Sequence, residues 1–144
     1  METETVGRVL TVARIESLKD LWDVNRGRMR AEDARSIEVT DALVDSGATL
    51  LSIPTTMIAR LGLEQTGTRR VRSSLGVGVS RMFEAVRLTI QGRECTMDVM
   101  EVPNDTPVLI GQLPLESLDF VIDMTSHKLI GNPRHGGEHI AELY

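Results

Sequence analysis

The chain has 144 residues, 41% of them hydrophobic and 26% charged, with a formal net charge of -5. That balance describes a globular protein of about one domain with a real core, and it excludes global disorder. The acidic surplus argues against a nucleic-acid partner, no window approaches the roughly 18 apolar residues of a membrane span, and the single cysteine, Cys95, rules out an intrachain disulfide.

The first residues, Met1 to Val6, are acidic and lack the apolar run of a secretory signal, so a reducing, cytoplasmic location is expected. Val6 to Ile15 is rich in β-branched residues and predicts a first strand. Ser17-Leu18-Lys19-Asp20 then reads as a capping box with Asp in place of Glu, and Leu18, Leu21 and Trp22 share one face of a short helix. Residues 16–36 form a polar, partly helical excursion, with Trp22 and Met29 expected over the edge of the core.

Ile37, Val39, Leu43 and Val44 make a strand that runs straight into Asp45-Ser46-Gly47-Ala48-Thr49. Branched apolar residues followed by an acid, a hydroxyl and a glycine predict a buried strand ending in a tight turn. Such a turn leaves Asp45 at the rim of the core, where a carboxylate is open to desolvation. An Asx turn closing an ordinary hairpin would use the same residues. Beyond it Leu50, Leu51 and Ile53 continue apolar, Pro54 opens a helix through Leu61 with Met57, Ile58 and Leu61 facing inward, and Gly62 stops it.

Between Thr68 and Glu84, the segment Ser74-Leu75-Gly76-Val77-Gly78 predicts a glycine-marked hairpin tip, and Arg69, Arg70 and Arg72 read as a solvated strand face. Val86, Leu88 and Ile90 alternate with polar residues, Gln91-Gly92 turns, and Cys95, Met97 and Val99 alternate again, which is an antiparallel hairpin with one buried face. Cys95 falls on that face as a structural thiol. After a loop at Pro103 to Pro107, Val108-Leu109-Ile110-Gly111 reads as a buried strand turning into a short helix. Phe120 to Asp123 and Lys128 to Ile130 flank a turn at 124–127. In the tail, 131–144, His135-Gly136-Gly137-Glu138-His139 has the spacing of a zinc-peptidase helix. Two central glycines at about 1 kcal/mol each oppose that helix, so a flexible surface tail and no metal are expected.

Asp45-Ser46-Gly47-Ala48-Thr49 resembles the Asp-Thr/Ser-Gly-Ala/Ser signature of the pepsin and retroviral protease clan, specifically its single-domain, retropepsin-like bacterial members. Leu109-Ile110-Gly111 is similar, in order and context, to that clan's late hydrophobic-hydrophobic-glycine signature. The resemblance spans 39–130. It implies a mainly β, closed retropepsin-like barrel with one or two short helices, its core at 37–130 within a single domain over 1–144. It also implies Ser74, Leu75, Gly76, Val77 and Gly78 as a flap over an extended polypeptide substrate, and Ser46 as a hydroxyl gripping across a dimer. Gly47, Ala48 and Thr49 complete the turn, and no cofactor is implied.

Peptide hydrolysis by carboxylates needs two of them, about 3 Å apart and sharing one proton. The chain holds one such signature: Asp41 is too close in sequence to reach across a site, and Asp123 is followed by Met-Thr rather than a glycine turn. A symmetric homodimer with Asp45 facing its own copy is therefore expected, with the terminal strands available to interleave. Two other readings stand beside it. One is a retropepsin-like domain used for dimerisation or peptide binding with little or no hydrolysis; the other is a small-molecule-binding β-barrel in which Asp45 only shapes a turn.

Overall fold

The architecture is taken from a computed structural model and described for residues 8–143. Among these are nine strands and three α-helices: β1 (Val9–Ser17), α1 (Leu18–Asn25), β2 (Ser36–Val44), β3 (Leu51–Pro54), α2 (Thr55–Leu61), β4 (Gln65–Ser73), β5 (Gly76–Ile90), β6 (Arg93–Val102), β7 (Leu109–Ile110), α3 (Gln112–Leu118), β8 (Phe120–Asp123) and β9 (Lys128–Gly131). The chain is mainly β, as expected, with three short α-helices where one or two were expected, the extra one being α1 of the excursion. Val6, where the predicted first strand begins, lies outside the described residues; the strand itself runs two residues further than Ile15.

Seven strands form one sheet in the order β1-β2-β7-β3-β6-β5-β4, and β1 also pairs with β5. The path of pairings thus returns to its first strand, with β4 outside the circuit. Alternation drives this arrangement: in β5, Val86, Leu88 and Ile90 are buried while the residues between them are partly exposed. Together with Ile15, Leu51, Ile53, Leu61, Val99, Ile110 and Leu118 they form the core. Each such side chain taken out of water contributes about 2 kcal/mol. The Gln91-Gly92 turn between β5 and β6 forms as predicted, both residues at positive φ (49° and 80°).

The excursion differs in detail from the sequence reading. Ser17 does cap α1, accepting a hydrogen bond from the Asp20 backbone N–H at 3.2 Å. The Asp20 carboxylate, however, does not reach back to Ser17. It is fully buried and takes three hydrogen bonds from Arg35: backbone N–H at 3.0 Å, Nε–H at 2.8 Å and Nη2–H at 3.1 Å. A bidentate guanidinium outcompetes a single amide, and Arg35 in turn stabilises the carboxylate, whose pKa it pulls below the ordinary value. Its guanidinium lies against Gly62, at the left-handed end of α2, where any Cβ would overlap it. This clamp ties α1, the end of α2 and the entry to β2 together. Trp22 is not packed over the core; it is 53% exposed, with Arg26 over its ring.

The tail also departs from expectation. Gly136 and Gly137 take left-handed φ values (65° and 79°), so no helix forms through the His-x-x-Glu-His spacing. The segment is tied down rather than loose. His135 bridges Asp119 (Nδ1 to Oδ2, 2.6 Å) and Glu142 (Nε2 to Oε2, 3.0 Å), and His139 Nε2 meets the Ser117 carbonyl at 3.0 Å. Asp119 is only 8% exposed and also accepts from Asn132 and from the Ile140 backbone N–H. The His135 hydrogen bond is the chief cause that lowers its pKa to about 2, and the same bond raises that of His135.

Candidate active site

β2 ends at Val44, and the turn that follows is built around Asp45. The Gly47 N–H donates to Asp45 Oδ1 at 3.0 Å and the Ala48 N–H to the Asp45 carbonyl at 3.0 Å. A Cβ on Gly47 would sit 3.2 Å from Asp45 Oδ1, so the glycine lets the backbone come this near to the carboxylate. Locally this is an Asx turn. It does not close a hairpin, because β2 and β3 are not neighbours: β7 lies between them.

That insertion is the distinguishing geometry. β7 runs parallel to β2 (Leu43 opposite Leu109, Val44 opposite Ile110) and antiparallel to β3 (Leu51 opposite Ile110, Ser52 opposite Leu109). The Leu43 N–H donates to Val108 O at 2.8 Å and the Asp45 N–H to Ile110 O at 3.0 Å. From the other side Gly111, Gln112 and Leu113 donate their N–H groups to Leu50 O, Ala48 O and Thr49 O at 3.1, 2.8 and 2.9 Å. The first amides of α3, which have no partner within a helix, are satisfied by the turn's carbonyls. Gly111 makes this contact possible: a Cβ there would collide with Leu50 O, and would stand 2.7 Å from Thr49 C and 2.8 Å from Ala48 O. All three atoms are backbone, so nothing can swing aside.

Asp45 is half-buried, with Ser46 and Thr49 exposed beside it. Next to it lies a cleft of about 340 Å³ whose walls are the turn (Gly47 to Leu50) on one side and Arg69 to Arg72 of β4 on the other, with Ser52 and Met100 between them. The predicted flap segment is the tip of the β4–β5 hairpin, although the two-residue turn is Ser74-Leu75. Gly76 flanks it at φ 116° and Gly78 lies within β5, opposite Val71. This tip does not line the cleft; Leu75 is 97% exposed and Val77 55%. The structure therefore brings together Asp45, the turn and Leu109-Ile110-Gly111, and sets Ser74 to Gly78 apart from them at the end of two extended arms.

Sequence reasoning missed Ser52, Met100 and the cleft-side position of Arg69 to Arg72. The arginine run was visible, but which surface β4 presents to the turn depends on how the sheet curls. Cys95 is half-buried, packs against the core, and burial pushes its thiol pKa up, consistent with a structural thiol. No helix among the described residues is long and apolar enough to cross a membrane.

A family model described as aspartyl protease matches residues 34–113, more than half of the chain, from the entry to β2 through the start of α3. No curated protein matches the chain.

Proposed function

The chain belongs to the aspartyl protease family, and from that premise we propose that it is an endopeptidase whose active site is completed by a second copy of itself. In this reading the circuit of paired strands is a closed retropepsin-like barrel forming one domain, and two copies meet on a twofold axis with their Asp45 side chains together. The observation that carries it is the β2–β7–β3 arrangement. It presents one glycine-turn carboxylate at the surface, with its backbone immobilised by six hydrogen bonds to the β7–α3 segment and within the turn itself.

Two carboxylates brought to about 3 Å hold one proton between them. The ionised one takes a proton from a water as it attacks the peptide carbonyl, and the protonated one donates to the carbonyl oxygen. In this reading the exposed Ser46 hydroxyl hydrogen-bonds across the axis and fixes both turns. An extended polypeptide then lies along the cleft, its backbone pairing as a strand with the β4–β5 hairpin.

The test is cleavage of a denatured protein across a pH series, with and without a pepstatin-like inhibitor. Fragments that disappear with the inhibitor and in Asp45→Asn support the peptidase. An Asp45→Asn variant that keeps wild-type turnover removes Asp45 as catalyst. Dimers that bind peptide but cleave nothing at any pH would leave the non-hydrolytic binding domain as the better reading.

A further inference from the structure

The cleft beside Asp45 has an unusual chemical balance for a chain with 21 acidic and 16 basic residues. Among the described residues no Asp or Glu lines it, whereas Arg69, Arg70 and Arg72 all do. Four arginines elsewhere meet acids, Arg14 with Glu16, Arg30 with Asp33, Arg35 with Asp20 and Arg81 with Glu101, while others among the described residues stand in solvent without one. Among the described residues no ion pair forms at Arg69, Arg70 or Arg72. A guanidinium without a counter-charge at Arg69, with two more on the same strand, gives the cleft a local positive field within an acidic molecule.

The floor adds a second, independent sign. Ser52 is 1% exposed, and its Oγ is buried without a hydrogen-bond partner. Buried hydroxyls nearly always have partners, so Ser52 leaves a hydrogen-bonding group open to an atom that enters the cleft. Around it the lining is apolar: Leu50, Val71 and Met100. Alternation along β4 puts Arg69 on the same face as the half-buried Val71, with Arg70 and Arg72 on the opposite face, so Arg69 is the guanidinium best placed to close over the floor. An apolar sleeve with a hydroxyl at its base and a guanidinium at its rim fits a side chain with an aliphatic stem and an anionic tip.

We infer that this cleft is a specificity subsite for an acidic side chain, glutamate above all, of an extended polypeptide, held by Arg69 with Ser52 as hydrogen-bond donor. The inference rests on the peptidase reading for its substrate class, but its test does not need turnover. Arg69 offers a carboxylate two parallel N–H donors, which a neutral amide of the same shape matches poorly.

The experiment measures peptide affinity by fluorescence anisotropy on Asp45→Asn, which cannot consume the probe. The probes are otherwise identical apolar peptides carrying Glu, Gln or Lys at one position, scanned along the peptide. At one position Glu binds about tenfold more tightly than Gln, as a charge-assisted pair implies, and Lys binds worst. Adding Arg69→Gln reduces the Glu preference to about twofold, and Ser52→Ala reduces it in part. Arg28→Gln, an exposed arginine away from the cleft, leaves it intact. Equal affinity for Glu and Gln, no measurable binding of the Glu probe, a preference that survives Arg69→Gln, or an equal loss in Arg28→Gln each overturns the subsite. If the wild type cleaves neutral peptides without the preference, the subsite falls and the peptidase stands. If acidic peptides bind selectively and are never cut, the reverse holds.

Discussion

The turn at Asp45 and the β4–β5 hairpin face each other across one cleft and are built on opposite principles. The turn is short, and its backbone is bonded from both sides by β7 and the start of α3. Its closest approach depends on a glycine with no room for a Cβ. The hairpin's outer half is long and exposed: of β4 only Val71 is even half-buried, and Leu75, Val77 and Val79 stand out in solvent. The comparison teaches a difference in support: one wall has its backbone bonded from both sides, and the other stands largely in solvent. In the proposed peptidase the first would hold a carboxylate to fractions of an ångström, and the second would give way to admit a polypeptide.

The strongest way to break this comparison is at the carboxylate itself. Asp45→Asn keeps the turn's shape and removes the charge, and it is expected to lower peptide cleavage by about a thousandfold with the melting temperature little changed. Initial rates and a thermal melt on the same preparation check both halves. Gly111→Ala attacks the framework instead. With three backbone atoms in the way, the methyl has to push the turn off α3, at a cost of about 3 kcal/mol, read as a lower denaturation midpoint. A variant as stable as the wild type would mean that the contact is not closed in solution.

The Asp20–Arg35 clamp sits behind the fixed wall, at the entry to β2. Asp20→Asn leaves a buried amide facing a guanidinium that is itself half exposed, so the expected loss is about 2 kcal/mol rather than the larger value of a fully buried pair. Chemical denaturation measures it. Because Arg35 lowers the Asp20 pKa, this contribution is present above the unfolded carboxylate value of about 3.9 and fades as pH falls through the lowered one.

The tail shows the opposite pH behaviour at its histidine. The His135 pKa is raised, so its pairing with Asp119 and Glu142 is fully present below about 6.5 and is lost as pH rises through the raised value. Asp119, at about 2, stays ionised throughout that window. Exchange of the Ile140 amide, which donates to Asp119, is expected to lose protection on going from mildly acidic to alkaline pH beyond the intrinsic increase. His135→Gln abolishes that extra pH dependence. The smallest effect belongs to the open wall: Leu75→Ser alters stability by less than about 0.5 kcal/mol while raising KM for peptides. A large stability loss would show that the hairpin tip is packed in solution and would dissolve the contrast.

Where local chemistry decides, the sequence was enough. Asp45 to Thr49 and Leu109 to Gly111 carry their own backbone requirements, and Pro54, Gly62 and Gln91-Gly92 delimit helix and hairpin by rules that act over a few residues. What was not legible depended on partners distant in the chain. Asp20 looked like a helix cap because nothing local announces that Arg35, fifteen residues on, offers it a better bond. His135 looked free because two glycines forbid a helix, yet the same glycines let the tail fold back onto Asp119. Arg69 to Arg72 looked like an ordinary wet strand until β4 was placed opposite the turn.

The claim beneath all of this is that each active site takes one Asp45 from each of two copies, and subunit mixing tests it most directly. Wild type and Asp45→Asn, co-refolded in equal amounts at fixed total concentration, partition at random, so only about a quarter of the dimers hold two intact carboxylates. Activity falling to about a quarter of the all-wild-type value is the predicted result. Activity falling only to about half, in proportion to the wild-type chain, would mean that each chain works alone and would contradict the account.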